Sequence, residues 1–149
     1  MEPSRRAILL VEDDPADELL TIRAFERSHI VNAIDVVRDG QQALDYLFGD
    51  GECRDRDSND MPPQVVLLDL KLPKVNGLDV LRRIRGDERL RTLPVVILTS
   101  SSEESDIVTS YDLGANSYVR KPVDFAEFAS AVRDVGLYWM MLNEPPPLI

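Results

Sequence analysis

The chain has 149 residues, 44% of them apolar and 30% charged, with a formal net charge of −10. That length builds one full hydrophobic core rather than two. The charge argues against a duplex nucleic-acid binder, which needs a basic face to displace counterions. No apolar run is long enough to span a bilayer. Arg5 and Arg6 lead into a short strand-like run and then acids rather than into a signal peptide, so a cytoplasmic protein without membrane attachment is expected. A single cysteine, Cys53, excludes an internal disulfide and a cysteine-based metal site.

Short apolar runs alternate with amphipathic stretches along the chain. Ala7 to Val11 reads as a buried strand, stopped by Glu12, Asp13 and Asp14; Pro15 then fits the first position of a helix capped by Asp14. That helix carries Leu19, Ile22 and Phe25 on one side. Ala33 to Val37 is a weaker strand, Asp39-Gly40 a turn, and Ala43, Leu44 and Leu47 mark the second helix. The stretch 49–63 lacks periodicity and is rich in Asp, Gly, Arg and Pro, so it reads as a long surface loop and a candidate partner surface. Gln64 to Asp69 is the clearest strand. Asn76-Gly77 opens a third helix, with Gly77, Val80, Leu81 and Ile84 at i, i+3, i+4 and i+7. Pro94 to Leu98 is strand four, ending at Thr99. Ser102 to Asp112 is a polar fourth helix stopped by Gly114. Asn116 to Arg120 is strand five, and Asp124 caps a last helix with Phe125, Phe128, Ala129 and Val132 inward.

Five repeats of strand then helix imply a parallel sheet covered on both faces by right-handed crossovers. The expected fold is α/β, doubly wound and flavodoxin-like, with strand order 2-1-3-4-5. In that architecture ligands bind at the carboxyl ends of the strands, at the switch point between strands one and three. Those ends carry Glu12, Asp13 and Asp69, with Thr99 ending strand four and Lys121 following strand five. Three clustered carboxylates repel one another unless a cation joins them. A hard divalent ion with oxygen ligands, Mg²⁺ or Mn²⁺, suits such a site. With that charge neutralised, the Asp69 carboxylate can attack a phosphoryl group to give an aspartyl phosphate. Lys121 and Thr99 are placed to offset charge on the phosphoryl oxygens, which is most of what phosphoryl transfer asks for.

The residues that carry this chemistry also resemble a family. Leu-Leu-Val-Glu12-Asp13-Asp14, Leu-Leu-Asp69-Leu-Lys-Leu-Pro73 with Asn76-Gly77, Leu98-Thr99-Ser100, and Tyr118-Val-Arg-Lys121-Pro122 are similar to the motifs of response-regulator receiver domains of two-component systems. The intervals match as well, with Thr99 30 residues and Lys121 52 residues after Asp69. The similarity runs from about residue 6 to 135, so 1–149 reads as a single receiver domain with an extended C-terminal helix and tail over 136–149. The resemblance implies that Asp69 is phosphorylated by a sensor histidine kinase and ligates the metal with Asp13 and the backbone carbonyl of Lys71, Glu12 acting through a water. It further implies that Thr99 and Tyr118 form a switch pair, that Lys121 pairs with Asp69 and then with phosphate, and that the peptide before Pro122 is cis. The triple acid, the long loop and the extended C-terminus resemble stand-alone regulators paired with bacterial phytochrome kinases.

Plainer readings stand beside these. Asp14 is best read as a helix N-cap, and first-turn acids are favoured by the helix macrodipole. Tyr118 is either a switch residue or an ordinary strand aromatic. Ser101 is a candidate for tuning phosphate loss. His29, the sole histidine, sits where an exposed residue is expected, and Cys53 falls in the loop without an assigned role. The segment Leu137-Tyr-Trp-Met-Met-Leu142 is apolar nearly all round, which points to a homodimer contact, unless it folds back on its own domain.

Four functions compete. The leading one is a non-enzymatic binding switch, limited to self-phosphorylation and slow self-dephosphorylation, in which phosphate on Asp69 changes contacts with a protein partner. A phosphohydrolase with an aspartyl-phosphate intermediate would place a second acid two residues after the nucleophile, where this chain has Lys71. A flavin or nucleotide binder would need a glycine-rich phosphate loop. A scaffold that accepts no phosphate would not need the full acid, Thr and Lys set.

Overall fold

The structure, a computed structural model, describes residues 6–49 and 62–147. The elements follow the expected alternation: β1 (Ile8–Val11), α1 (Pro15–Arg27), β2 (Ile34–Val37), α2 (Gly40–Phe48), β3 (Val65–Leu68), α3 (Gly77–Arg85), β4 (Val95–Thr99), α4 (Glu104–Asp112), β5 (Ser117–Arg120) and α5 (Phe125–Leu137). A single π-helical turn, Tyr138–Leu142, continues α5. The sheet order is β2-β1-β3-β4-β5 and every pairing is parallel, the flavodoxin-like arrangement. Cys53 and most of the 49–63 stretch lie outside the described residues.

Strand residues alternate between two apolar layers. Leu9, Val11, Val66, Leu68, Val95 and Ile97 face α2 and α3, where Leu44, Leu47, Val80, Leu81 and Ile84 meet them. Ile8, Leu10, Val65, Leu67, Val96 and Leu98 face α1 and α5, against Ala24, Phe25, Phe128 and Val132. A period of two thus serves both faces of a fully covered sheet, which is why the central strands read as unbroken apolar runs.

Caps decide where the helices start, and with them what reaches the rim. The Asp14 side chain accepts from the backbone N–H groups of Ala16 and Asp17, Asp39 caps α2, Asn76 caps α3 and Asp124 caps α5. α4 starts at Glu104 rather than Ser102 and has no side-chain cap at Glu103. Two residues expected inward face water instead. Leu19 is exposed because the buried side of α1 runs through Thr21, Ala24 and Phe25, and Phe125 is exposed because α5 first meets the core at Phe128.

The C-terminal apolar segment divides. Trp139 and Met140 pack against the α1/α5 layer, whereas Tyr138, Met141 and Leu142 are exposed. Trp139 and Met140 continue the inward face that α5 presents through Val132, Val135 and Gly136, and the Asn143 N–H closes the turn on the Tyr138 carbonyl at 2.6 Å.

Candidate functional site

The sheet brings three strand ends to one level. Val11 pairs in register with both Val37 and Leu68, so Glu12 and Asp69 leave adjacent strands side by side. The backbone fixes both: the Glu12 N–H donates to the Val37 carbonyl at 3.0 Å and the Asp69 N–H to the Val11 carbonyl at 3.1 Å. One strand further, the Lys121 N–H donates to the Thr99 carbonyl at 2.7 Å, holding the residue after β5 against the end of β4.

The loop after β3 is pinned underneath. Gly77 packs so tightly that a Cβ there would lie 2.3 Å from the Asp69 carbonyl oxygen, and its N–H donates to the Leu70 carbonyl at 2.9 Å. At Gly40 a Cβ would meet the Val75 carbonyl oxygen at 1.7 Å, so only glycine lets α2 start against this loop. The Asn76-Gly77 pair therefore sets α3 directly behind the carboxylate.

Asp69 is 7% exposed, with each carboxylate oxygen engaged. Oδ1 accepts from the Thr99 hydroxyl at 2.8 Å and from the Lys71 backbone N–H at 3.1 Å. Oδ2 accepts from Lys121 Nζ at 2.9 Å. Lys121 also donates to Glu12 Oε1 at 2.6 Å and to Asp17 Oδ2 at 2.9 Å. The Asp14 N–H reaches Glu12 Oε2 at 3.2 Å. Burial pushes the Glu12 carboxyl up to about 7, against the lowering pull of Lys121. Burial also opposes the charge on Lys121, but the surrounding carboxylates outweigh it and hold the ammonium above its ordinary range.

Glu12, Asp13 and Asp69 can each offer one oxygen within 4.8 Å of the others, Asp13 from the solvent side. This all-oxygen, carboxylate-rich set fits Mg²⁺ or Mn²⁺. Burial is the main cause of the raised Glu12 value, and repulsion from Asp69 adds a smaller part.

Glu12, Asp13, Asp69, Thr99 and Lys121 thus converge as expected, and the Lys71 side chain is exposed with its backbone beside Asp69. Tyr118 stands apart from them, its hydroxyl donating to the Ser101 carbonyl at 2.9 Å. Burial, followed by nearby acids, keeps that phenol above its ordinary value despite the Ser101 bond. Ser101, weighed for phosphate loss, is buried and donates to Asp106 Oδ2 at 2.6 Å, bracing the start of α4. His29 is exposed just past α1, in a left-handed conformation with φ of 60°.

One expectation is overturned: no peptide bond among the described residues is cis, so the bond between Lys121 and Pro122 is trans. Trans is the ordinary X–Pro preference, and the dipeptide itself encodes no exception. Asp17 was missed altogether. It is the third residue of α1, and the only available signal was its position one turn after Asp13 and Asp14 at the same rim.

The chain matches the response regulator receiver domain family over residues 8–133 and belongs to it. It is 44% identical over 140 residues to a probable methanogenesis regulatory protein, FilR2, of Methanothrix harundinacea, covering 93% of this chain and 86% of that one. It is 36% identical to the response regulator Rcp1 of Synechocystis, over 91% of this chain and 89% of that one. The solved Mn²⁺-bound form of Rcp1 superposes with a TM-score of 0.88 at 34% identity, over 95% and 99% of the two chains. The phosphorylated cyanobacterial phytochrome response regulator RcpA gives 0.89 at 35% identity, over 97% and 100%. The bacteriophytochrome response regulator RtBRR is 57% identical, with a TM-score of 0.76 over 97% of this chain and 86% of that one.

The chain is therefore a response-regulator receiver, a signalling module that takes phosphate from a histidine kinase on an aspartate. No helix among the described residues is long and apolar enough to cross a membrane.

Proposed function

We propose that Asp69 is the phosphoryl acceptor and that the rim built by Glu12, Asp13, Asp69, Thr99 and Lys121 is the transfer site. An Asp69 carboxylate oxygen attacks phosphorus, the P–N bond to the kinase histidine breaks as the P–O bond forms, and the leaving imidazole keeps its electron pair and takes a proton. Glu12, Asp13, Asp69 and the Lys71 carbonyl would hold Mg²⁺ or Mn²⁺, with Glu12 acting through a water; the ion supplies charge neutralisation at the phosphoryl oxygens. Lys121 and the Thr99 hydroxyl, both already donating to Asp69, turn to the new oxygens. Tyr118 reads out the change through its bond to the Ser101 carbonyl, because movement of Thr99 displaces the loop that carries Ser101.

The observation that carries this reading is that both oxygens of the nearly buried Asp69 accept from the two side chains, Thr99 and Lys121, that phosphoryl transfer requires. A phosphohydrolase is disfavoured by the exposed Lys71 where a second acid would act. Similarity to phytochrome response regulators supports a phytochrome-type kinase as phosphate source. The chain works in the cytoplasm and signals through protein contacts without binding nucleic acid, and Tyr138, Met141 and Leu142 supply a homodimer contact.

Incubation with Mg²⁺ and acetyl phosphate, followed by intact mass measurement, tests the reading. One labile phosphate per chain is expected, absent from Asp69→Asn. Persistent labelling of Asp69→Asn, or rapid turnover without an adduct, would sink it.

A further inference from the structure

An ammonium group has three N–H donors, and on Lys121 each has a separate carboxylate: Glu12 at 2.6 Å, Asp17 at 2.9 Å and Asp69 at 2.9 Å. The side chain is 6% exposed, so water replaces none of these partners cheaply. The three acceptors come from three elements, the end of β1, the first turn of α1 and the end of β3. The lysine itself follows β5, so the three bonds tie four parts of the rim to one atom.

The acceptors are not equivalent. Glu12 and Asp69 belong to the carboxylate group able to hold a cation, whereas Asp17 does not. Asp69 also gives up its free carboxylate when it becomes an acyl phosphate. Asp17 is therefore the one partner of Lys121 whose acceptor is shared neither with the cation nor with the phosphoryl group. Its helix position is set independently, because its own N–H donates to the Asp14 cap at 3.4 Å.

We propose that Asp17 is a positioning residue for phosphoryl transfer: it anchors the Lys121 ammonium on α1 while Glu12 and Asp69 exchange partners around it. The two released N–H donors then swing to the phosphoryl oxygens from a fixed pivot. The competing account is a first-turn acid that only serves the helix macrodipole. That account predicts an effect of Asp17 on helix stability alone, indifferent to residue 121.

The kinetic part of this inference rests on the Asp69 reading, so the test has two arms. In the first, phosphorylation by acetyl phosphate with saturating Mg²⁺ is followed in Asp17→Asn, in the presence and absence of Lys121→Met. Replacing a charge-assisted acceptor by a neutral one lowers the rate at saturating donor about fivefold in the Lys121 protein. It changes the rate less than about twofold in the Lys121→Met protein. The half-saturating donor concentration stays the same, and Asp17→Glu recovers most of the rate. Equal losses in both backgrounds, or no loss in the first, overturn the proposal.

In the second arm, proton exchange of the Lys121 ammonium is measured by NMR in the metal-free protein. Asp17→Asn speeds it several-fold if Asp17 holds the group; unchanged exchange overturns the proposal. Should the wild-type chain take up no phosphate, the Asp69 reading fails and this second arm still decides whether Asp17 holds the lysine.

Discussion

The rim at the carboxyl ends of the strands and the π turn at residues 138–142 solve opposite problems. At the rim, charge is buried: Glu12 and Asp69 are 2% and 7% exposed, and each has a partner within hydrogen-bond distance. At the turn, apolar surface is exposed: Met141 and Leu142 are 66% and 76% accessible. Buried charge demands partners inside the chain, and the rim supplies them through Lys121 and Thr99. Exposed apolar surface costs little to leave in water but suits a contact outside the chain. If the proposed contact forms at the turn, phosphorylation chemistry and self-association sit in different places, and substitutions should separate them.

The largest expected effect is at Asp69. Asp69→Asn abolishes phosphate uptake while leaving any self-association through the turn in place, as sedimentation would report. Removing Lys121 comes next. Lys121→Met leaves three carboxylates without their buried cation and costs about 3 kcal/mol in urea unfolding at pH 7, with Mg²⁺ returning part of it.

The sign of the pH dependence follows from Glu12. Its folded-state value, about 7, lies above the ordinary 4.5. Its contribution to stability is therefore full below pH 4.5 and is lost as pH rises through 7. Thermal melts of the metal-free protein should show this decline. Mg²⁺, which favours the ionised carboxylates, should add more stability at pH 8 than at pH 5. An Mg²⁺ gain independent of pH would contradict the link between the cation and this cluster.

Gly77→Ala sharpens the comparison from below the site. The new Cβ would sit 2.3 Å from the Asp69 carbonyl oxygen, so backbone must shift. A loss of about 1–3 kcal/mol is expected, together with slower phosphate uptake. The smallest effect on stability belongs to the turn: Leu142→Asp changes unfolding by less than about 0.5 kcal/mol. It leaves phosphorylation untouched and lowers self-association. A large stability loss there would mean that Leu142 packs on its own domain.

Much of this was legible in the sequence because local rules and global fold agree. Val65 to Leu68, short, β-branched at its start and followed by Asp69, reads as a doubly covered strand, and Asp14-Pro15 and Asn76-Gly77 announce helix starts at the rim. The convergence of Glu12, Asp69, Thr99 and Lys121 followed from strand order alone. Asp17 was not legible, because it lies inside α1 rather than at a strand end, and only the phase of the first helical turn aims it at Lys121. The bond from Tyr118 to Ser101 was hidden as well: a hydroxyl donating to a loop carbonyl leaves no pattern. The division of the C-terminal segment was hidden because its residues are apolar all round; only the phase carried over from Val132 and Gly136 turns Trp139 and Met140 inward. The cis peptide at Pro122 was carried over from resemblance and had no support in the residues themselves.

The central claim is that Asp69, held by Thr99 and Lys121, is where phosphate arrives. Borohydride reduces an acyl phosphate on aspartate to homoserine, which survives peptide mapping. After reaction with acetyl phosphate and Mg²⁺, homoserine at position 69 and at no other acid is the predicted result. Homoserine at Asp13 or Asp14, or phosphate retained on His29 with position 69 unchanged, would contradict it.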